Sequence, residues 1–230
     1  DLPVYYRQRA RTLPHLADLV ARVCAGAPGN YLVALPSFAY LTQLAAALAE
    51  RHPSLALSVQ TPGMSEAERD AFVRWFQADG RTRAGLIVLG GIFGESVDFS
   101  HAKLAGVVCV GVGLPPASTL RTEMSRHFEA RLGARGGEMV AYQQPAMTKV
   151  LQMAGRLLRG PDDRGVLCLV DDRFLKAEFQ RFFPRHWQPE AIRAAGVGAR
   201  IEKFWQATSD LPRLVDSRAT AALPAVEDPP

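Results

Sequence analysis

The chain has 230 residues, 48% of them hydrophobic and 22% charged, the balance of an ordinary globular protein with one large or two small domains. A formal net charge of +4 and a pI near 9.2 permit a polyanionic partner without demanding one. There is no run of eighteen apolar residues and no signal-type leader, so no membrane partner is expected.

Residues 1–29 read as a lead-in segment with a helix, and Tyr5, Tyr6, Arg7, Arg9 and Arg11 in it form a basic-aromatic cluster. That cluster suits either nucleic acid or a solvated helix face. Tyr31 to Leu35 is a short buried-strand candidate, followed by a helix over Phe38 to Glu50 with Leu41, Leu44 and Leu48 at helical spacing. Leu55 to Gln60 alternates like a strand. Ser65 and Glu68 make a capping box, in which each side chain takes an orphan amide of the first turn. The helix they open carries Phe72, Trp75 and Phe76 on one face and is expected to end near Gly80. Gly85 to Leu89 is the next strand, stopping at Gly90-Gly91. Ala105 to Val112 is the most apolar strand, broken by Gly113-Leu114-Pro115-Pro116. A long helix follows from Ala117 to Leu132, then a loop from Gly133 to Gly137. Pro145 suits the first turn of another helix, predicted to carry Gln152 to Arg159, before Gly160-Pro161 breaks it. Gly165 to Val170 is the last strand. Asp171-Asp172 after it reads as a helix-start pair favoured by the helix dipole, with a magnesium site as the rival reading.

Strands alternating with helices of ten or more residues predict an α/β fold with a mainly parallel sheet flanked by helices. One α/β domain is expected over residues 30–187, and residues 188–230 are expected to form a helix and a flexible, proline- and alanine-rich tail. Parallel sheets of this kind bind ligands outside the carboxyl ends of their strands. The Gly90 to Gly94 and Gly113 to Pro115 loops fall there.

The chemistry-bearing residues are few. Cys24, Cys109 and Cys168 are far apart in apolar surroundings, which predicts buried free thiols in a reducing, cytoplasmic setting. Five single histidines and no C-x-x-C predict no metal site. No G-x-x-x-x-G-K-S/T loop and no strand-borne D-E-x-D/H box occurs, and Ser96 and Ser125 have no triad partners. In Gly91 to Asp98 the glycines admit close approach of a ligand, with Glu95 and Asp98 as acceptors; a glycine turn with a side-chain cap is the rival reading. In Gln152-Met153-Ala154-Gly155-Arg156-Leu157-Leu158-Arg159, two arginines three residues apart on one helical face could fork onto one phosphate cluster. They could equally solvate an exposed face.

The order of these segments resembles the second motor lobe of superfamily 2 helicases, closest to the DinG/XPD-like branch. Leu32 to Leu41 resembles motif IV, and Gly91 to Phe99 resembles motif V, with Ser96 where the branch usually has glycine. Val108 to Pro115 is similar to the strand ending V-G-L-P. Gln152 to Arg159 with Asp162 to Gly165 resembles motif VI and its extension, with Leu158 for the usual isoleucine. Asp171 to Phe174 is similar to the D-x-R-F/Y that closes the domain.

The resemblance implies a RecA-like lobe, the carboxyl-terminal half of an ATP-dependent DNA helicase or translocase used in repair or replication. Because the chain opens at Asp1, it is expected to be part of a longer protein and inactive alone. The implied partners are single-stranded DNA and the N-terminal helicase lobe of the same polypeptide. That lobe would hold most of the ATP with its Mg2+, and in this branch often an iron–sulfur cluster, which nothing in this chain can hold. Arg156 and Arg159 would be arginine fingers, with Gln152 at the γ-phosphate or the attacking water. Gly155, Asp98 and Glu95 would serve the nucleotide. Ser37, Gly91, Phe93, Gly94 and Thr119 would face nucleic acid. The alternative is a non-catalytic nucleic-acid or protein interaction module that keeps the fold.

Overall fold

A computed structural model describes residues 2–76, 81–95, 99, 103–133, 135–158, 160 and 163–209. Five strands, β1 (Asn30–Leu35), β2 (Ala56–Val59), β3 (Arg83–Val88), β4 (Leu104–Val110) and β5 (Val166–Val170), form one sheet in the order β2-β3-β1-β4-β5. Every pairing is parallel. The central strands are the uninterrupted apolar runs: all seven positions of β4 are buried, as a strand covered on both faces requires. Edge strand β2 is half-buried throughout.

The helices in chain order are α1 (Arg9–Ala25), α2 (Phe38–Arg51), α3 (Glu66–Trp75), the single turn α4 (Ile92–Glu95), α5 (Thr119–Leu132), the turn α6 (Gly136–Glu138), α7 (Gln144–Ala154), α8 (Ala177–Gln180) and α9 (Val197–Ser209). They cover both faces. One core joins Leu16, Val20 and Val23 of α1 and Leu41, Leu44 and Leu48 of α2 to Val33, Leu86 and Val108, with Val197 and Ile201 of α9 added. The other joins Phe72, Phe76, Met147, Val150 and Met153 to Leu32, Ile87, Val107 and Cys109. Gly85 in the middle of β3 makes room for this second layer: a Cβ there would stand 3.0 Å from Cζ of Phe72 and collide with the Phe76 ring.

Local signals in the sequence set most boundaries. The predicted capping box forms, with the Ser65 amide donating to Glu68 Oε2 at 2.7 Å and the Glu68 amide to Ser65 Oγ at 3.3 Å. The predicted end of this helix near Gly80 lies outside the described residues. Helix α5 starts at Thr119, two residues later than predicted, because Ser118 is its N-cap, accepting from the Arg121 amide. The predicted loop over Gly133 to Gly137 is shorter. Gly133, at φ +83°, ends α5, but the chain is helical again from Gly136 and runs through a π-helical stretch, Met139–Gln143, into α7. Gly137 packs this segment on α5: a Cβ there would fall 2.8 Å from Oγ of Ser125. Among the described residues, no helix is long and apolar enough to cross a membrane.

Candidate nucleotide and nucleic-acid rim

The carboxyl ends of the strands place the singled-out loops along one rim. After β1 comes Ser37, the N-cap of α2, whose Oγ accepts from the Tyr40 amide at 3.3 Å. Its expected contact with nucleic acid thus falls to a hydroxyl already engaged as a cap. After β3, Gly90 turns with φ +70°. The Gly91 amide then donates to Val88 O at 3.0 Å and the Gly94 amide to Gly91 O at 2.8 Å. These two amides were expected to face a nucleic-acid backbone; the loop uses both to hold its own shape.

Phe93 requires a correction. Expected at a nucleic-acid surface, it is fully buried, with its ring centroid 4.4 Å from Phe72 and 6.2 Å from Phe99. Desolvating an aromatic ring inside a core is strongly favourable, and a ring enclosed this way cannot stack on a base. After β4, Thr119 is the exposed first residue of α5.

The Q-x-x-G-R-x-x-R run is not one helix, as the spacing had suggested. Helix α7 stops at Ala154, and Gly155 caps it with an amide bonded to Leu151 O at 2.9 Å. Gln152 is exposed on the last turn. Gly155 is also exposed, at φ −65° and ψ −12°, and a Cβ there would meet nothing closer than backbone oxygens at 3.5 Å. The lobe itself therefore does not need a glycine at 155.

Arg156 follows the helix and turns its guanidinium back to the β3 loop, donating from Nη2 to Gly94 O at 2.9 Å. This bond ties the end of α7 to the loop after β3. Arg159, Asp98 and Ser96, and the side chain of Glu95, lie outside the described residues.

Next to this rim is an arrangement that local sequence reading missed. Asp171 does cap a short helical turn, accepting from the Arg173 amide at 2.9 Å, as a helix-start residue should. Its carboxylate also holds the Arg173 guanidinium through two bonds, at 2.9 Å and 2.6 Å. Asp172 instead accepts from the Tyr5 hydroxyl at 2.7 Å. That bond draws the Asp172 carboxyl below its usual range and raises the Tyr5 hydroxyl. Arg173 lies 4.9 Å from the Tyr5 ring and Arg9 lies 4.4 Å from the Tyr40 ring. The amino-terminal cluster is thus seated on its own lobe through Tyr5 and Arg9. Only the repeat of tyrosine and arginine there hinted at it, since the partner Asp172 is 167 residues away.

A cavity of about 500 Å³ runs beside β5, lined by Leu19, Leu167, Leu169, Phe183, Trp187 and Phe204 among others. None of the residues expected to grip nucleotide or nucleic acid lines it. Among the described residues no group of three His, Cys, Asp or Glu could hold a metal ion.

The helicase C-terminal domain family matches residues 20–190 of the chain. Among curated proteins, the chain is 24% identical to a regulator of telomere elongation helicase 1 homolog of Aedes aegypti, over 97% of this chain and 24% of that protein. It is also 24% identical to the ATP-dependent DNA helicase chl1 of Schizosaccharomyces pombe, over 73% of this chain and 21% of that protein. The chain thus spans about a quarter of the length of the first and a fifth of the second. Among solved structures, an XPD helicase matches with TM-score 0.62 at 21% identity, covering 79% of this chain and 32% of that one. A second, an apo XPD, matches with TM-score 0.64 at 20% identity, covering 79% and 36%. These likenesses, with the all-parallel five-stranded sheet, give the fold as the RecA-like fold of helicase lobes.

Proposed function

The chain belongs to the helicase C-terminal domain family, and from that premise we propose that it is the second motor lobe of a DinG/XPD-like DNA helicase or translocase that hydrolyses ATP and moves on single-stranded DNA in repair or replication. The observation that carries this reading is the bond from Arg156 to Gly94 O, which makes the motif V loop and the motif VI turn one mechanical unit on the carboxyl rim. The exposed Gly155 adds support, because a glycine that its own lobe does not require is free to admit a close-lying ligand.

In this reading ATP lies between two lobes, and the partner lobe holds the Mg2+ that neutralises charge on the phosphates. Arg159 and Arg156 bring guanidinium charge to the phosphoryl group in transfer. Gln152, on the last turn of α7, orients the attacking water or contacts the γ-phosphate, while Gly155, Glu95 and Asp98 line the nucleotide side. Ser37, Thr119 and the loop from Gly91 to Gly94 form the surface that meets the DNA backbone; Phe93 supports that surface from beneath. Because the motif V loop and the motif VI turn are joined, a change at the phosphates is transmitted to the strand-holding loop. Contacts of this kind address phosphates, so binding is independent of base sequence and weakens with salt.

The test is activity in the part and in the whole. The isolated chain is expected to fold and to show no ATPase above background, whereas the intact polypeptide hydrolyses ATP with stimulation by single-stranded DNA. Robust hydrolysis by these 230 residues alone would contradict the half-motor reading.

A further inference from the structure

Helix α7 carries one more cation to the rim, outside every residue assigned above. Lys149 stands three positions before Gln152, so the two project from the same side of the helix. Its aliphatic stem is laid across Gly90: a Cβ at that glycine would come within 2.6 Å of Cε and 2.9 Å of Cγ of Lys149. Gly90 therefore does two things. It adopts the left-handed turn that ends β3, at φ +70°, and it leaves open the lane that the lysine stem fills.

Lys149 is half-buried, and among the described residues no hydrogen bond or ion pair takes up its ammonium. A long side chain whose methylenes are packed while its head stays unpaired presents charge at a fixed point. The point here is the Gly90–Gly91 turn at the end of β3. A lysine ammonium offers three donors and a compact charge, the chemistry that binds phosphate oxygens.

We propose that Lys149 is a phosphate-binding residue of the motor, its ammonium held over the Gly90–Gly91 turn to contact a phosphate group of nucleotide or nucleic acid. The inference rests on the half-motor reading and adds a cation to it. Two variants of the intact protein separate charge from packing: Lys149→Met keeps a flexible apolar stem and removes the charge, and Lys149→Arg keeps the charge.

Two measurements separate the sources of the phosphate. If the nucleotide supplies it, Lys149→Met raises the KM for ATP about tenfold at saturating single-stranded DNA. If the nucleic acid supplies it, the slope of log binding constant against log salt shrinks by about 0.7, the value of one single-strand phosphate contact. Lys149→Arg recovers most of whichever property is lost, with Tm unchanged in both variants. Unchanged KM and salt slope in Lys149→Met would overturn the proposal, as would a loss that follows a lowered Tm and is not recovered by arginine. Arg156→Ala is the control: if it abolishes hydrolysis while Lys149→Met is silent, this inference alone fails. If both are silent, the half-motor reading fails with it.

Discussion

Replacing Arg159 by alanine in the intact polypeptide lowers ATP turnover by about three to five powers of ten, the range by which arginine fingers accelerate nucleotide hydrolysis, and leaves single-strand affinity within about twofold. A guanidinium that binds only the charge developing during phosphoryl transfer lowers the barrier without contributing to ground-state DNA binding. Arg156→Ala is expected to differ in one respect. Its side chain also donates to the carbonyl of buried Gly94 at 2.9 Å, and losing that charged hydrogen bond costs about 1–3 kcal/mol. Turnover and thermal stability therefore fall together at Arg156, whereas Arg159→Ala alters turnover alone. Lysine at either position does not restore the rate, because a point charge cannot reproduce the planar fork. Equal losses of hydrolysis and of DNA binding at Arg159 would mark a structural arginine instead.

The second large effect belongs to Phe93. Truncating a fully buried ring that touches Phe72 and Phe99 removes its burial and leaves a cavity, for about 3–5 kcal/mol. In a domain of this size that lowers Tm by on the order of 10 °C. Phe93→Leu, which refills much of the volume, recovers most of the loss. A melting curve for each variant, set beside its DNA affinity measured well below Tm, decides the role of the ring. Normal stability with weakened DNA binding would contradict the core assignment and return Phe93 to the nucleic-acid surface.

The parts of the fold that were legible in the sequence are those set by local chemistry. The apolar runs at Tyr31 to Leu35 and Ala105 to Val112 announced β1 and β4, because strands covered on both faces cannot alternate. Ser65 and Glu68 fixed the start of α3 through bonds within one turn. The glycine-rich ends of β3 and β4 placed these loops at the carboxyl rim, since that follows from parallel topology alone.

What remained hidden depends on contacts between distant segments. The helical pattern continues past Ala154 through Leu157 and Leu158, yet α7 ends there. Leu157 turns inward, its Cγ lying only 3.0 Å from where a Cβ of Gly165 would be, and Arg156 is drawn to Gly94. Tertiary partners override propensity at that point. Phe93 sits in the single turn α4, too short for any periodicity to mark a buried face; its burial is decided by Phe72, Phe76 and Phe99 arriving from elsewhere. The bond from Tyr5 to Asp172 and the stem of Lys149 across Gly90 are likewise invisible in a linear reading. The two arginines were legible as a spacing, but the phosphate pocket they are proposed to complete needs the second lobe of that proposal.

The most direct measurement is a structure of the intact polypeptide with single-stranded DNA and a non-hydrolysable ATP analogue. A shared pocket predicts guanidinium nitrogens of Arg156 and Arg159 about 2.7–2.9 Å from terminal phosphate oxygens, with the analogue enclosed between the lobes. An analogue enclosed by the other lobe alone, with both arginines turned away from its phosphates, would contradict the account.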